Sequence, residues 1–75
     1  MPPEAAEVIA RVLAVELDTT VEAVRSARSL RGELGMDSIA AANIVFALEE
    51  EFGLEVTLDA AERLDSLPQV EAIVG

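Results

Sequence analysis

Seventy-five residues hold one domain at most, and a chain this short buries a modest core. With no Cys and no His it has no disulfide, no thiolate metal site and no Ser-His or Cys-His catalytic pair. A net charge of −10, fifteen acids against five Arg, opposes binding to nucleic acid or anionic membranes and favours basic partner proteins.

Thirteen Ala and a hydrophobic fraction of 52% with only two aromatics predict close-packed helices rather than strands. Met1-Pro2-Pro3 is expected to be a frayed end, with proline suited to a helix start. From Glu4 to about Leu17, Ala5, Val8, Ile9, Val12, Leu13 and Leu17 recur at helical spacing. Glu4 and Glu7 sit in the first turn, where the helix dipole favours acids. Thr20 is placed to cap a short turn, Val21 to Val24. Residues 25–36 show no sustained period and read as a long loop pinned by Leu30 and Leu34.

A glycine turn then leads straight into an apolar helix, Gly35-Met36-Asp37-Ser38-Ile39. Asp37 or Ser38 caps that helix, which runs to about Phe52 with Gly53 as its stop. Ile44, Val45, Leu48 and Phe52 form one stripe, and Ile39, Ala42 and Phe46 a second beside it. Ala40, Asn43, Ala47, Glu50 and Glu51 are left as the outer face. Leu54 to Leu58 alternates like a strand but has no strand to pair with, and is expected as an extended loop. Asp59 caps a short turn through Leu64. Asp65 and Ser66 restart the chain, and Pro68 suits the first turn of a last helix ending near Val74.

The Asp-Ser pair has a plain reading as capping chemistry and a chemical one. A helix start offers unpaired N–H donors and partial positive charge, which suit a phosphate. Gly35 gives a sharp turn that leaves a serine hydroxyl within reach of an enzyme. Ser38 has no His, Cys or Lys to activate it, so an enzyme acting through it is not expected. No loop of calcium-ligand spacing is present.

Leu34-Gly35-Met36-Asp37-Ser38-Ile39 resembles the Leu-Gly-x-Asp-Ser-Leu signature of acyl carrier proteins. Phe46-Ala47-Leu48-Glu49-Glu50-Glu51-Phe52 resembles the end of that family's second helix. Ala61-Glu62-Arg63-Leu64 falls where its third helix lies. The resemblance implies an all-α fold for residues 1–75: a small four-helix bundle of three main helices and one short one, with a long first loop. It implies a non-enzymatic carrier in fatty-acid, lipid or polyketide-type biosynthesis. Ser38, with Asp37 beside it, would take 4′-phosphopantetheine from coenzyme A through a phosphopantetheinyl transferase, and the arm's thiol would hold an acyl group as a thioester. Met36, Ala40, Asn43, Ala47, Glu49, Glu50 and Glu51 would face acyl-loading, elongating or acyl-transfer enzymes with basic surfaces. Ile39, Ala42, Phe46, Leu54, Val56, Leu64 and Ile73 would line an acyl pocket. A cytoplasmic monomer without membrane insertion is expected.

Three departures from the resemblance stand out. Ala40 and Asn43 occupy positions where acids are usual in the family, Ala42 stands for a larger branched residue, and Leu58 for a polar or acidic one. They point to a specialised carrier. Arg25, Arg28 and Arg31 gather in the first loop. Ion pairs with nearby Glu are the plain expectation for them; a partner contact or a clamp on the arm's phosphate is the sharper one. The alternative to a carrier is an acidic helical interaction module in which Ser38 is only a cap.

Overall fold

Pro3 opens the first helix because its fixed φ and missing N–H fit a helix start. The computed structural model describes residues 2–75. Met1, part of the expected frayed start, lies outside them. Pro3 itself is helical: Ala5 and Ala6 donate to the Pro2 carbonyl at 3.1 and 3.2 Å. Helix α1 spans Pro3–Glu16 and buries Ile9, Ala10, Leu13 and Ala14. Asp18 then takes a left-handed conformation, φ 53°, which Asp tolerates better than most residues. That turn lets Thr19 N–H reach the Ala14 carbonyl at 2.9 Å.

Thr20 caps α2 as expected, accepting from Ala23 N–H at 3.1 Å. The helix runs two residues further than expected, Val21–Ser26. The long loop after it contains a helix that periodicity did not reveal, α3, Leu30–Leu34. The Ser29 hydroxyl accepts from Gly32 N–H at 2.9 Å. Glu33 reaches back to Ser29 N–H at 3.0 Å and also to Arg28 N–H. Five residues around a glycine are too few to show a helical stripe, but reciprocal capping at their start holds them.

Helix α4, Ser38–Phe52, ends at Gly53 with φ 64°, the left-handed stop that glycine adopts without steric cost. Leu54 to Thr57 is extended, tied back by Val56 N–H donating to Glu49 Oε2 at 2.9 Å. Helix α5, Leu58–Arg63, is capped by Thr57 rather than Asp59. Thr57 Oγ1 accepts from Ala60 N–H at 3.1 Å, while Asp59 pairs with Arg63 at 3.2 Å. Helix α6, Leu67–Val74, begins with a capping box between Ser66 and Gln69 and has proline in its first turn.

The described residues thus form an all-α bundle with three main helices, α1, α4 and α6, and three short ones. Helix α1 packs on α2, α4 and α6, and α4 packs on α5. Ile9, Leu13, Val24, Leu30, Ile44, Leu48, Leu64 and Val70 are fully enclosed in one core. Each such burial contributes about 1.5–3 kcal/mol before chain entropy is charged against it.

Asp65, at the α5–α6 junction, fixes the first loop to the far side of the bundle. Its carboxylate accepts the Ser29 hydroxyl at 2.9 and 3.0 Å and Arg31 N–H at 2.9 Å. Its carbonyl accepts Leu30 N–H at 2.6 Å. The Arg31 N–H, then the Ser29 hydroxyl, hold the Asp65 carboxyl below the usual carboxylate range. Glu33 is lowered in the same direction by the amides of Ser29 and Arg28.

A carboxyl whose pKa is lower folded than unfolded contributes stability above the unfolded value and loses it as pH falls through the folded one. The melting temperature is therefore expected to lose the Asp65 and Glu33 contributions on acidification below about pH 5. Easing of the overall negative self-repulsion works in the opposite direction. The comparison with Asp65→Asn isolates the effect: the variant melts lower at pH 7, and its deficit shrinks towards pH 3. A deficit that does not change with pH would show that the Asp65 charge plays no part.

Candidate functional site

The turn before α4 is built by three residues with separate tasks. Gly35 ends α3 at φ 69° and reverses the chain. Met36 is buried, and its N–H donates to the Leu30 carbonyl at 3.1 Å, so the turn is anchored in the core. Asp37 is the N-cap, its Oδ1 accepting from Ala40 N–H at 2.8 Å. The sequence left the cap open between Asp37 and Ser38, and the structure gives it to Asp37.

Ser38 is consequently the first helical residue and is exposed. Among the described residues, no side-chain hydrogen bond engages its hydroxyl. With Ala40 N–H held by Asp37 and Ala41 N–H by the Asp37 carbonyl, the N–H groups of Ser38 and Ile39 remain as the free donors of the helix start. These are the groups that would meet an anion attached at the hydroxyl.

Ser38 lies on the wall of a groove of about 130 Å³ between α4 and α5. Ala41, Ala42, Leu58 and Ala61 make its apolar lining, and Arg31 and Glu62 its charged part. Arg31 is fixed there by two backbone carbonyls at the end of α5. Nε donates to Leu64 at 2.8 Å and Nη2 to Glu62 at 3.0 Å. These are carbonyls of the kind a helix end leaves unpaired. The expected ion pairs with Glu do not form in this loop. Among the described residues the ion pairs are Arg11–Glu7 and Arg63–Asp59. Arg31 serves the loop better by closing a helix end than by meeting an exposed carboxylate, where two solvated charges gain little.

The outer face of α4 is rotated from the one expected. Ile39, Ala42, Asn43, Phe46 and Glu50 are exposed, Ile39 by 73% and Phe46 by 65%. Ile39 and Phe46, expected to line an acyl pocket, point away from the core that Ala41, Ile44, Val45 and Leu48 fill. Ala40 packs against that core, and Ala47 is half-buried. Met36, expected to face partners, is buried. Glu49 is half-buried and occupied with Val56, leaving Glu50 and Glu51 exposed.

The other expected pocket residues separate into two groups. Ala42 lines the groove beside Ser38. Leu64 and Ile73 line a second, more open hollow of about 290 Å³ between α5 and α6. Val56 packs on the core, and Leu54 is half-buried. Arg31, expected to form ion pairs with Glu or to meet a partner or the arm's phosphate, instead makes two bonds to backbone carbonyls that no sequence reading named. Its placement depends on a contact with residues more than thirty positions away.

Residues 6–74 match the family model described as a phosphopantetheine attachment site. The chain is 32% identical over 65 residues to acyl carrier protein 3 of Ralstonia nicotianae, covering 87% of this chain and 75% of that protein. It is 38% identical over 55 residues to an acyl carrier protein of Streptomyces coelicolor, covering 73% of this chain and 60% of that one. With an acyl carrier protein of Nitratidesulfovibrio vulgaris it shares 33% over 58 residues, 77% of this chain and 76% of the relative. The chain belongs to the phosphopantetheine-binding family of acyl carrier proteins.

It is therefore a carrier of acyl thioesters on covalently attached 4′-phosphopantetheine, not an enzyme, and it works with a phosphopantetheinyl transferase and acyl-handling enzymes. The purely non-covalent interaction module is set aside by this membership. The arm supplies a terminal thiol, the nucleophile that a Cys-free chain lacks. Among the described residues no helix is long and apolar enough to cross a membrane.

The division between cap and hydroxyl is testable by stability alone. Asp37→Ala is expected to cost about 0.5–2 kcal/mol. Ser38→Ala is expected to be nearly silent, because alanine suits a helical position and no hydrogen bond is lost. Urea denaturation of both variants measures this. A larger loss in Ser38→Ala than in Asp37→Ala would return the cap to Ser38.

Proposed function

We propose that Ser38 is the attachment serine and that this chain is a specialised acyl carrier, a single cytoplasmic domain acting as a monomer. The observation that carries the first part is the free, exposed Ser38 hydroxyl beside a neighbour that has taken over the capping. A hydroxyl engaged as cap would have to give up its bond to an amide before it could react. Ser38 has none to give up. The transferase then has only to remove the hydroxyl proton and direct the oxygen at the β-phosphorus of the pantetheine donor. The Ser38 O–P bond forms as the bond to the leaving 3′,5′-adenosine bisphosphate breaks.

The face of α4 supports the second part. From Ser38 the exposed positions run Ile39, Ala42, Asn43 and Phe46 before the first acid, Glu50. Charge complementarity sets association rate and specificity more than contact area does. A partner that relies on acids close to the attachment serine finds none on this face, whereas one with an apolar contact and basic groups at the rim fits it. The basic groups would meet Glu50 and Glu51, which are exposed at the far end of the helix.

Incubation with coenzyme A, magnesium and a broad-specificity phosphopantetheinyl transferase is expected to add the mass of one phosphopantetheine, and Ser38→Ala is expected to add none. Intact-mass spectrometry decides this, and addition to the variant would move the site elsewhere.

Specialisation has its own test. A general fatty-acyl ligase is expected to load the natural holo-protein poorly, and Asn43→Glu, on the exposed face, to raise that loading several-fold. Thioester formation under single-turnover conditions measures it. Full loading of the natural protein with no gain from Asn43→Glu would remove the claim. Ala40 is not the position to test, since it packs on the core and an Asp there would disturb the helix.

A further inference from the structure

We infer that Arg31 holds the phosphodiester of the arm in the α4–α5 groove; the inference rests on attachment at Ser38. Three observations carry it. First, Arg31 and Ser38 line the same groove of about 130 Å³, which brings the arginine and the serine to one small space. Second, Arg31 is already immobilised by its bonds to the Leu64 and Glu62 carbonyls. A guanidinium has five N–H donors, and these two bonds use only part of them. The entropy of ordering a long side chain has been met by the fold, which is the main cost that makes an exposed arginine a weak partner.

Third, the charge balance needs it. Among the described residues Arg31 is the one cation lining the groove, and Glu62 lines it as well. Asp37 sits next to Ser38 in a protein of net charge −10. A phosphodiester there adds one more negative charge among acids, so a fixed cation on the same groove is where the attraction is found. Arginine suits the task because its planar fork pairs with phosphate oxygens while two other N–H groups stay on carbonyls. The apolar lining, Ala42, Leu58 and Ala61, continues from this point and gives the carbon chain that follows the phosphate a place to lie.

A merely structural Arg31 would tie α3 to α5 equally with or without the arm. Two measurements separate the roles, both made on full-length protein converted with coenzyme A and the transferase and checked by intact mass. The ¹H–¹⁵N signals of the Arg31 side chain are expected to move on conversion from apo to holo, while those of Arg11 and Arg63 stay in place. The melting temperature of the natural protein is expected to rise by about 2–4 °C on conversion. In Arg31→Gln that gain is expected to disappear, and in Arg31→Lys to return in part.

Unmoved Arg31 signals together with the same apo-to-holo change in all three proteins would overturn the inference. The side-chain signals are read in the natural protein, so a poorly folding variant cannot hide the answer. Failure of Ser38 to gain the arm's mass is a different result. It would remove the attachment reading, and this inference with it.

Discussion

The position of the turn before α4 depends on one carboxylate. Asp65 accepts from the Ser29 hydroxyl and Arg31 N–H, and its carbonyl takes Leu30 N–H. These bonds cross from the α5–α6 junction to the segment before α4. With them in place, Leu30 enters the core, Met36 follows, and Gly35 turns the chain so that Ser38 starts the next helix in the open. Without them the loop would have the Arg31 side-chain bonds to α5 and the apolar contacts of Leu30, Leu34 and Met36, and apolar contacts are not directional. The carboxylate supplies direction, and the leucine and methionine supply most of the energy.

This gives another meaning to the acidity of the chain. Asp37, Glu33, Glu49 and Asp65 each accept backbone N–H groups at a helix start or a loop. In a domain with no disulfide and a small core, such bonds fix short segments that burial alone would leave loose. Part of the formal charge is therefore architecture. The acids free to meet a partner are fewer than composition suggests, and along α4 they begin only at Glu50.

Much of this was legible in the sequence, and the misses have physical causes. Pro3, Gly53 and Pro68 mark helix ends because each permits only certain backbone angles or hydrogen bonds, so α1, α4 and α6 lay close to where they were expected. Helix α3 was missed because its support is capping by Ser29 and Glu33 together with a distant aspartate, neither of which has a period. The cap of α5 went to Thr57 instead of Asp59, a displacement of two residues where several capping residue types sit together. The face of α4 was misjudged because the helix is apolar nearly all round. The neighbours then decide which side is buried, and Ile39 and Phe46 were left outside once Ala41, Ile44, Val45 and Leu48 met α1 and α5. Ser38 and Asp37 were legible as a pair, but the sequence could not say which of them would hold the helix.

That choice between neighbours is the step on which the chemistry turns. A helix start must satisfy its first N–H groups, and a side chain that does so is committed. Placing the two tasks on adjacent residues lets the helix be capped while the hydroxyl stays free. A similar separation recurs at Arg31, which closes the end of α5 with only part of its guanidinium and lines the groove that Ser38 lines. In both places rigidity comes from bonds made away from the Ser38 oxygen. The oxygen is held in position by its surroundings and spends none of its own hydrogen-bonding capacity on staying there. A carrier needs this arrangement more than an enzyme does, because the catalytic groups arrive on another protein and must find the hydroxyl already in place.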